Sequence, residues 1–322
     1  MSSSWIRHVK WDEAPRELSV RTHCHGGEIL ESALEHPEDQ LARSRNVVLL
    51  VHGFNVSLCS AGKSYEAFLE KVPFRWKARA FWVYWPGDDL SESPGLMSKA
   101  RSAASYPFQL DRAEESGRVL ASHVSAAAIR RMRAGKPPMC LGIVAHSLGC
   151  RLTLELVSQL KDLVANKLIR LQLLVLMAAA VPKYLLLPRK RYDLSRLGSQ
   201  KTIVYFSSKD DVLKWVFRAG QSTSMTSPRT AVFDRGALGR EGLGDLVSDK
   251  LVNERKYHGH GGYWTDSEIA WRVTQELDGA RNVRNRRYVV PRLLNVGREV
   301  TGRSVQPRTL NKPLGIRDHC CS

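Results

Sequence analysis

The sequence predicts a doubly wound α/β domain built on a mostly parallel sheet, and three observations carry that reading. Five apolar runs of strand length recur along the chain: 46–52 (NVVLLVH), 78–85 (ARAFWVYW), 139–145 (MCLGIVA), 171–181 (LQLLVLMAAAV) and 201–206 (KTIVYF). They are continuous, not alternating, as strands buried on both faces must be, and a parallel sheet covered by helices on each side buries them that way. Longer amphipathic stretches separate the runs, and strand–helix alternation with right-handed crossovers winds helices onto both faces. At 322 residues the chain suffices for one such domain with appendages.

Taken in order, residues 1–45 hold two short strand-like stretches (WIRHVKW and ELSVRTHC) and a helix, joined to a core domain over 46–280. Residues 111–133 read as a helix with acids in its first turn and arginines in its last, the polarity that suits the helix dipole. After the 139–145 run, LGCRLTLELVSQLKDLV sets Leu152, Leu156 and Leu160 at four-residue spacing on one helical face. Residues 182–201 separate the last two runs, about 20 residues, which leaves room for one helix and none for a large cap. The segment 217–253, with DRGALGREGLGD, is expected to wall the site, its glycines suggesting a mobile loop. TDSEIAWRVTQELDG opens a last helix with the capping box Thr265-x-x-Glu268. Residues 281–322, Arg-rich and broken by Pro and Gly, are expected to form a basic C-terminal arm.

Composition bounds the function. A hydrophobic fraction of 43% with eight tryptophans excludes a disordered chain. The start, MSSSWIRHVKWDEAPREL, is charged and lacks an apolar h-region, so no secretory signal is expected. No run reaches the roughly 18 apolar residues of a spanning helix. Cys24, Cys59, Cys140, Cys150, Cys320 and Cys321 are scattered, a pattern of reduced thiols in a cytoplasmic compartment and not of a disulfide framework. Lys and Arg number 49 against 32 Asp and Glu, a net charge of +17. The excess clusters at IRRMRAGK, at 182–201 and at 281–317. Such a field is a solvated basic surface or attracts nucleic acid, acidic lipid headgroups or acidic proteins, and no nucleic-acid-binding signature sharpens that choice.

The chemistry centres on GIVAHSLGCRLTLELV, 142–157. A buried strand that turns straight into a helix strains the residue at the turn and needs small residues two before and two after it. Ser147 is at the turn, between Ala145 and Gly149. The turn lifts its hydroxyl above the sheet edge and puts the Leu148 N–H at a helix N-terminus, where positive potential favours an oxyanion. Ser147 is therefore the candidate nucleophile, Leu148 a candidate oxyanion donor, and Phe54, in the His52-Gly53-Phe54-Asn55 turn after the 46–52 run, the second donor. His52 is read as a brace for that loop. A serine nucleophile needs a base and a group to orient it. Asp210, with Asp211 as the alternate, is the candidate orienter and follows the 201–206 run. His260, with His258 as runner-up, follows in a Gly-rich loop before the last helix. His258 and His260 lack further ligands at a metal-binding spacing, as does THCHGG (22–27), so no metal is expected.

These blocks give the chain a resemblance to the α/β-hydrolases, in particular to a bacterial branch of esterase/lipase-like proteins. That branch carries an HGFN turn, a WPS-like turn, an AHS-x-G elbow and an S-x-x-D-x-A-L acid turn. Here they read HGFNV, WPGDD (85–89), AHSLG and SSKDDVL (207–213). The resemblance spans 45–280 and implies an α/β-hydrolase fold without a large cap, with the acid on Asp210. It favours His260 as the base, ahead of Tyr263-Trp264. It departs at Gly87, where the branch has a small polar residue, and in the doubled histidine. The implied activity is that of a serine esterase or lipase-like enzyme forming an acyl-enzyme, with no cofactor and a small-molecule or lipid ester as substrate. Two alternatives stand beside it. One is an anionic-membrane lipid hydrolase recruited by the basic clusters at 182–201 and 281–317. The other is a non-catalytic module that binds an acidic partner.

Overall fold

The structure, a computed structural model, describes residues 18–22, 36–72, 78–87, 96–215, 217 and 236–282. WIRHVKW, most of THCHGG and the expected basic arm beyond 282 lie outside the described residues.

All five apolar runs are strands, because each offers side chains that both faces of the sheet can bury. They are β2 (Asn46–Val51), β3 (Arg79–Tyr84), β4 (Met139–His146), β5 (Ile169–Met177) and β6 (Lys201–Phe206). Every residue of β4 is buried, as its central place requires. Two further strands complete the sheet, β1 (Ser19–Thr22) and β7 (Leu251–Arg255). The order is β1-β3-β2-β4-β5-β6-β7, parallel throughout except for β1, which pairs antiparallel with β3 at one edge. This is the doubly wound, mostly parallel sheet that the apolar runs predict.

The helices follow from the crossovers. The chain leaves β2 through α2 (Leu58–Glu70) to β3 on one side, then returns through α3 (Leu96–Arg133) to β4 on the other. Right-handed crossovers in opposite directions place α2 and α3 on opposite faces. α4 (Gly149–Gln159) and α1 (Pro37–Arg43) pack against α3, while α8 (Ser267–Asn282) packs against α2 and under β5. The short helices α5 (Lys161–Ala165), α6 (211–215) and α7 (Leu238–Glu241) cap connections. No helix among the described residues is long and apolar enough to cross a membrane.

Two local expectations are corrected, and two connecting segments gain detail. The helix read over 111–133 begins at Leu96, so its acids are not in the first turn. Glu114 instead faces α4, where Arg151 donates to its Oε1 at 2.8 and 2.7 Å. The Thr265–Glu268 capping box does not form, because Thr265 belongs to a 3-10 turn. Asp266 Oδ1 caps α8, accepting from the N–H groups of Glu268 and Ile269 at 2.9 and 3.2 Å. Residues 182–200 hold a 3-10 turn (Lys183–Leu186) and further turns, with no helical cap. Arg191 fastens them, donating to Glu114 and Glu155 at 2.7 and 2.9 Å. Finally, the described part of the glycine-bearing segment, from 236, is stitched in. Leu238 and Gly239 donate to the carbonyls of Val181 and Ala179, and Ser207 donates to Gly239, each at 2.9 Å. Residues 218–235 lie outside the described residues.

Candidate active site

β4 ends at His146, and the next residue turns the chain into α4. Ser147 takes φ 53°, a left-handed conformation that costs a side-chain-bearing residue of order 1–3 kcal/mol and persists only where its surroundings impose it. Here the Ser147 N–H donates to Met177 O at 2.9 Å, and Ser147 O accepts from Cys150 and Ala180 at 3.1 Å each. The turn is thus tied to the end of β5. Small neighbours are obligatory. A Cβ on Gly149 would lie 2.2 Å from His52 O, and one on Gly53 would lie 2.7 Å from Ser147 Cβ. The loop after β2 therefore abuts the serine at backbone distance.

His260 reaches this turn from the segment after β7. Its Nε2 lies 2.8 Å from Ser147 Oγ, and its Nδ1 lies 2.8 Å from Asp210 Oδ2. The carboxylate accepts, so Nδ1 carries the proton and Nε2 is left to accept from the serine hydroxyl. Asp210 is fully buried just beyond β6. Its Oδ1 accepts from Leu213 N at 2.9 Å, and its carbonyl accepts from Arg240 Nη1 at 2.9 Å. These contacts fix the carboxylate without competing for Oδ2. Asp211, the alternate orienter, points to solvent and bonds neither histidine among the described residues.

His258 goes elsewhere. Its Nε2 lies 2.9 Å from Asp266 Oδ2, the carboxylate oxygen that Lys256 Nζ also approaches at 3.1 Å. Its own carbonyl accepts from Ser207 Oγ at 2.6 Å. Of the two histidines, His260 is the one brought to Ser147.

The other flank is the His52–Asn55 turn. His52 is buried, and burial pushes its pKa down to about 4, so the ring is neutral. Its Nδ1 donates to Gly53 O at 2.8 Å, its Nε2 accepts from Trp85 N at 3.3 Å, and the ring stacks on Trp85 at 5.7 Å. His52 thus braces two loops and has no bond to Ser147 among the described residues. Asn55 N donates to Gly87 O at 2.9 Å. Gly87 departs from the resemblance for a steric reason, since a Cβ there would lie 2.5 Å from the Trp85 ring. Phe54 follows Gly53, the residue of this turn that abuts the serine. The Leu148 N–H opens α4, and no turn or loop bond among the described residues takes it.

One residue of the site, the His of AHSLG, has no role that the sequence assigns to it. His146 is buried, which lowers its pKa to about 3, and its Nε2 donates to the His260 carbonyl at 2.8 Å. The two rings lie 5.0 Å apart. His146 thereby clamps the backbone that carries His260, a contact that only the tertiary path of 256–262 creates. Among the described residues no cluster of His, Cys, Asp and Glu could hold a metal ion.

No protein-family description and no curated protein matches this sequence. Solved structures of similar shape include a cold-adapted esterase from an Arctic intertidal metagenomic library (15% identity, 84% of this chain and 100% of that one, TM-score 0.40). Others are carboxyl esterase 2 from the mycorrhizal fungus Tuber melanosporum (14%, 73% and 79%, TM-score 0.35) and acyl-protein thioesterase 2 of Zea mays (13%, 72% and 94%, TM-score 0.35). Function is therefore read from the site itself.

Proposed function

We propose that the protein is a serine hydrolase acting on ester bonds through Ser147, His260 and Asp210. The observation that carries this is the chain of two 2.8 Å contacts, Asp210–His260–Ser147, ending on a serine held at φ 53°. Structural hydrogen bonds seldom require a strained backbone, whereas an exposed nucleophile on a strand-to-helix turn does.

In this reading His260 Nε2 takes the Ser147 proton as Oγ attacks an acyl carbonyl. Asp210 holds the imidazole tautomer and stabilises the imidazolium that forms. The Leu148 N–H, at the positive end of α4, and the Phe54 N–H, beside the elbow, receive the oxyanion. Collapse of the tetrahedral adduct expels the alcohol, protonated by His260. Water, deprotonated by the same imidazole, then releases the acid. No metal or organic cofactor is called for in these steps. Short connections at 182–200 leave the site without a helical cap on that side, which suits small or surface-presented esters.

The test is hydrolysis of a panel of short-chain p-nitrophenyl esters by purified protein. Ser147→Ala is expected to remove turnover to background while the melting profile stays intact. Equal turnover in the folded variant would refute the proposal.

A further inference from the structure

β6 and β7 run parallel to β4, so their C-terminal ends emerge on the edge of the sheet where Ser147 stands. Those ends carry a patch that the hydrolytic residues do not use. Trp215 is 65% exposed, Tyr257 70% and Val212 41%. Val212 and Trp215 stand one turn apart on α6, and neighbouring exposed apolar side chains mark an interaction surface more often than isolated ones do. Each aromatic is attended by cations. Lys214 Nζ lies 4.7 Å from the Trp215 ring centroid, and Lys209 Nζ and Arg255 Cζ lie 5.9 and 5.7 Å from that of Tyr257. Arg255 also donates to Ser208 Oγ at 3.0 Å, and none of the three cations forms an ion pair among the described residues. Asp211 is the exposed acid among them.

The basic run at 182–201 behaves differently. Lys183, Arg191, Arg196 and Lys201 face Glu241, Glu114 with Glu155, Asp193 and Glu276. Four of that run's six cations thus have carboxylate partners, whereas none of the three rim cations has one among the described residues.

We propose that this rim docks the protein on an anionic lipid surface. Lys209, Lys214 and Arg255 meet headgroup phosphates, and Trp215, Tyr257 and Val212 enter the interfacial layer. Tyr and Trp suit a boundary with one apolar side and one wet side. Cations near an anionic leaflet are each attracted to it, and the attraction falls with salt. Val212 favours lipid over nucleic acid, because an aliphatic side chain gains burial from acyl chains and nothing from phosphates or a base stack. The inference rests on the serine-hydrolase reading for its purpose, which is to present ester-bearing molecules to Ser147; the docking itself does not require turnover.

The experiment sediments the full-length protein with vesicles of phosphatidylcholine, with and without phosphatidylglycerol. Binding is expected with phosphatidylglycerol and should weaken as salt is raised. Trp215→Ala with Tyr257→Ala, and separately Lys209→Gln with Lys214→Gln, should each lower the bound fraction about tenfold or more. Both pairs should hydrolyse soluble short-chain esters as the wild type does and keep its melting temperature. Vesicle binding unchanged in both double variants would overturn the proposal, since charge elsewhere would then suffice. Tighter binding to single-stranded nucleic acid than to vesicles, lost in the same variants, would also overturn it and assign the rim to that partner. Ser147→Ala protein should bind vesicles normally, so a failed esterase reading and a failed docking surface give different results.

Discussion

Two histidines two residues apart in one glycine-bearing segment each face an aspartate, yet only one presents its ring to a serine. His260 has Asp210 on Nδ1 and Ser147 on Nε2. His258 has Asp266 on Nε2, and that carboxylate already serves Lys256 and the N-terminus of α8. Neighbouring contacts push the Asp266 pKa below the usual carboxylate range, against the opposing pull of burial. An aspartate shared among three partners holds a loop in place. In the proposed reading, a buried aspartate that keeps Oδ2 for one imidazole, whose far nitrogen meets a strained serine, serves proton transfer. The difference teaches that a His–Asp pair gains chemical meaning from what its other ring nitrogen touches.

Substitutions can break that contrast. The largest effect is expected at the first pair. His260→Ala should lower ester turnover by about a thousandfold or more, since the serine loses its base. Asp210→Asn should follow closely, at about a thousandfold to ten-thousandfold, because the amide favours the wrong tautomer. His258→Ala should cost less than about tenfold in the same assay. Equal losses at His258 and His260 would erase the distinction.

His146 lies between the extremes. It acts through the His260 backbone, so His146→Ala should lower kcat about tenfold to a hundredfold with little change in KM. His146→Gln, which can restore an N–H donor to the His260 carbonyl, should recover much of the loss. A merely structural role would lower the melting temperature without that recovery.

At the second pair the expected effect is on stability. Asp266→Ala removes the α8 cap, worth about 1 kcal/mol, and leaves Lys256 with Glu268 alone. A lowered melting temperature with nearly normal turnover by the surviving fold is the predicted outcome. Acid should act through other histidines. Burial lowers the pKa of His52 to about 4 and of His146 to about 3, each from 6.5. Between those values the unfolded chain binds protons that the folded one refuses, so stability is complete above about pH 6.5 and falls as pH drops toward 4. Thermal melts at pH 7.5 and 5 test this, and His52→Gln should flatten the difference.

How much of this is legible in the sequence follows from which residues act locally. The strands β2 to β6 are legible because burial on both faces leaves continuous apolar runs. β7 is not, since LVNER is a half-buried edge strand with no such run. The long N-terminal extension of α3 is hidden by Pro107, which reads as a helix breaker ahead of the 111–133 stretch. Ser147 can be singled out because strand, small residues and helix are adjacent in the chain. The choice between His258 and His260 depends on how 256–262 folds back over the elbow, and His146 gains its contact from that same path. Neither is encoded by spacing alone.

The central claim is that Ser147 is an activated nucleophile. The most direct measurement is to treat the folded protein with a fluorophosphonate and map the adduct by mass spectrometry. The account predicts a phosphonyl adduct on Ser147, absent in His260→Ala and retained in His258→Ala. A folded protein that forms no adduct, or one labelled at Ser147 equally well without His260, would contradict it.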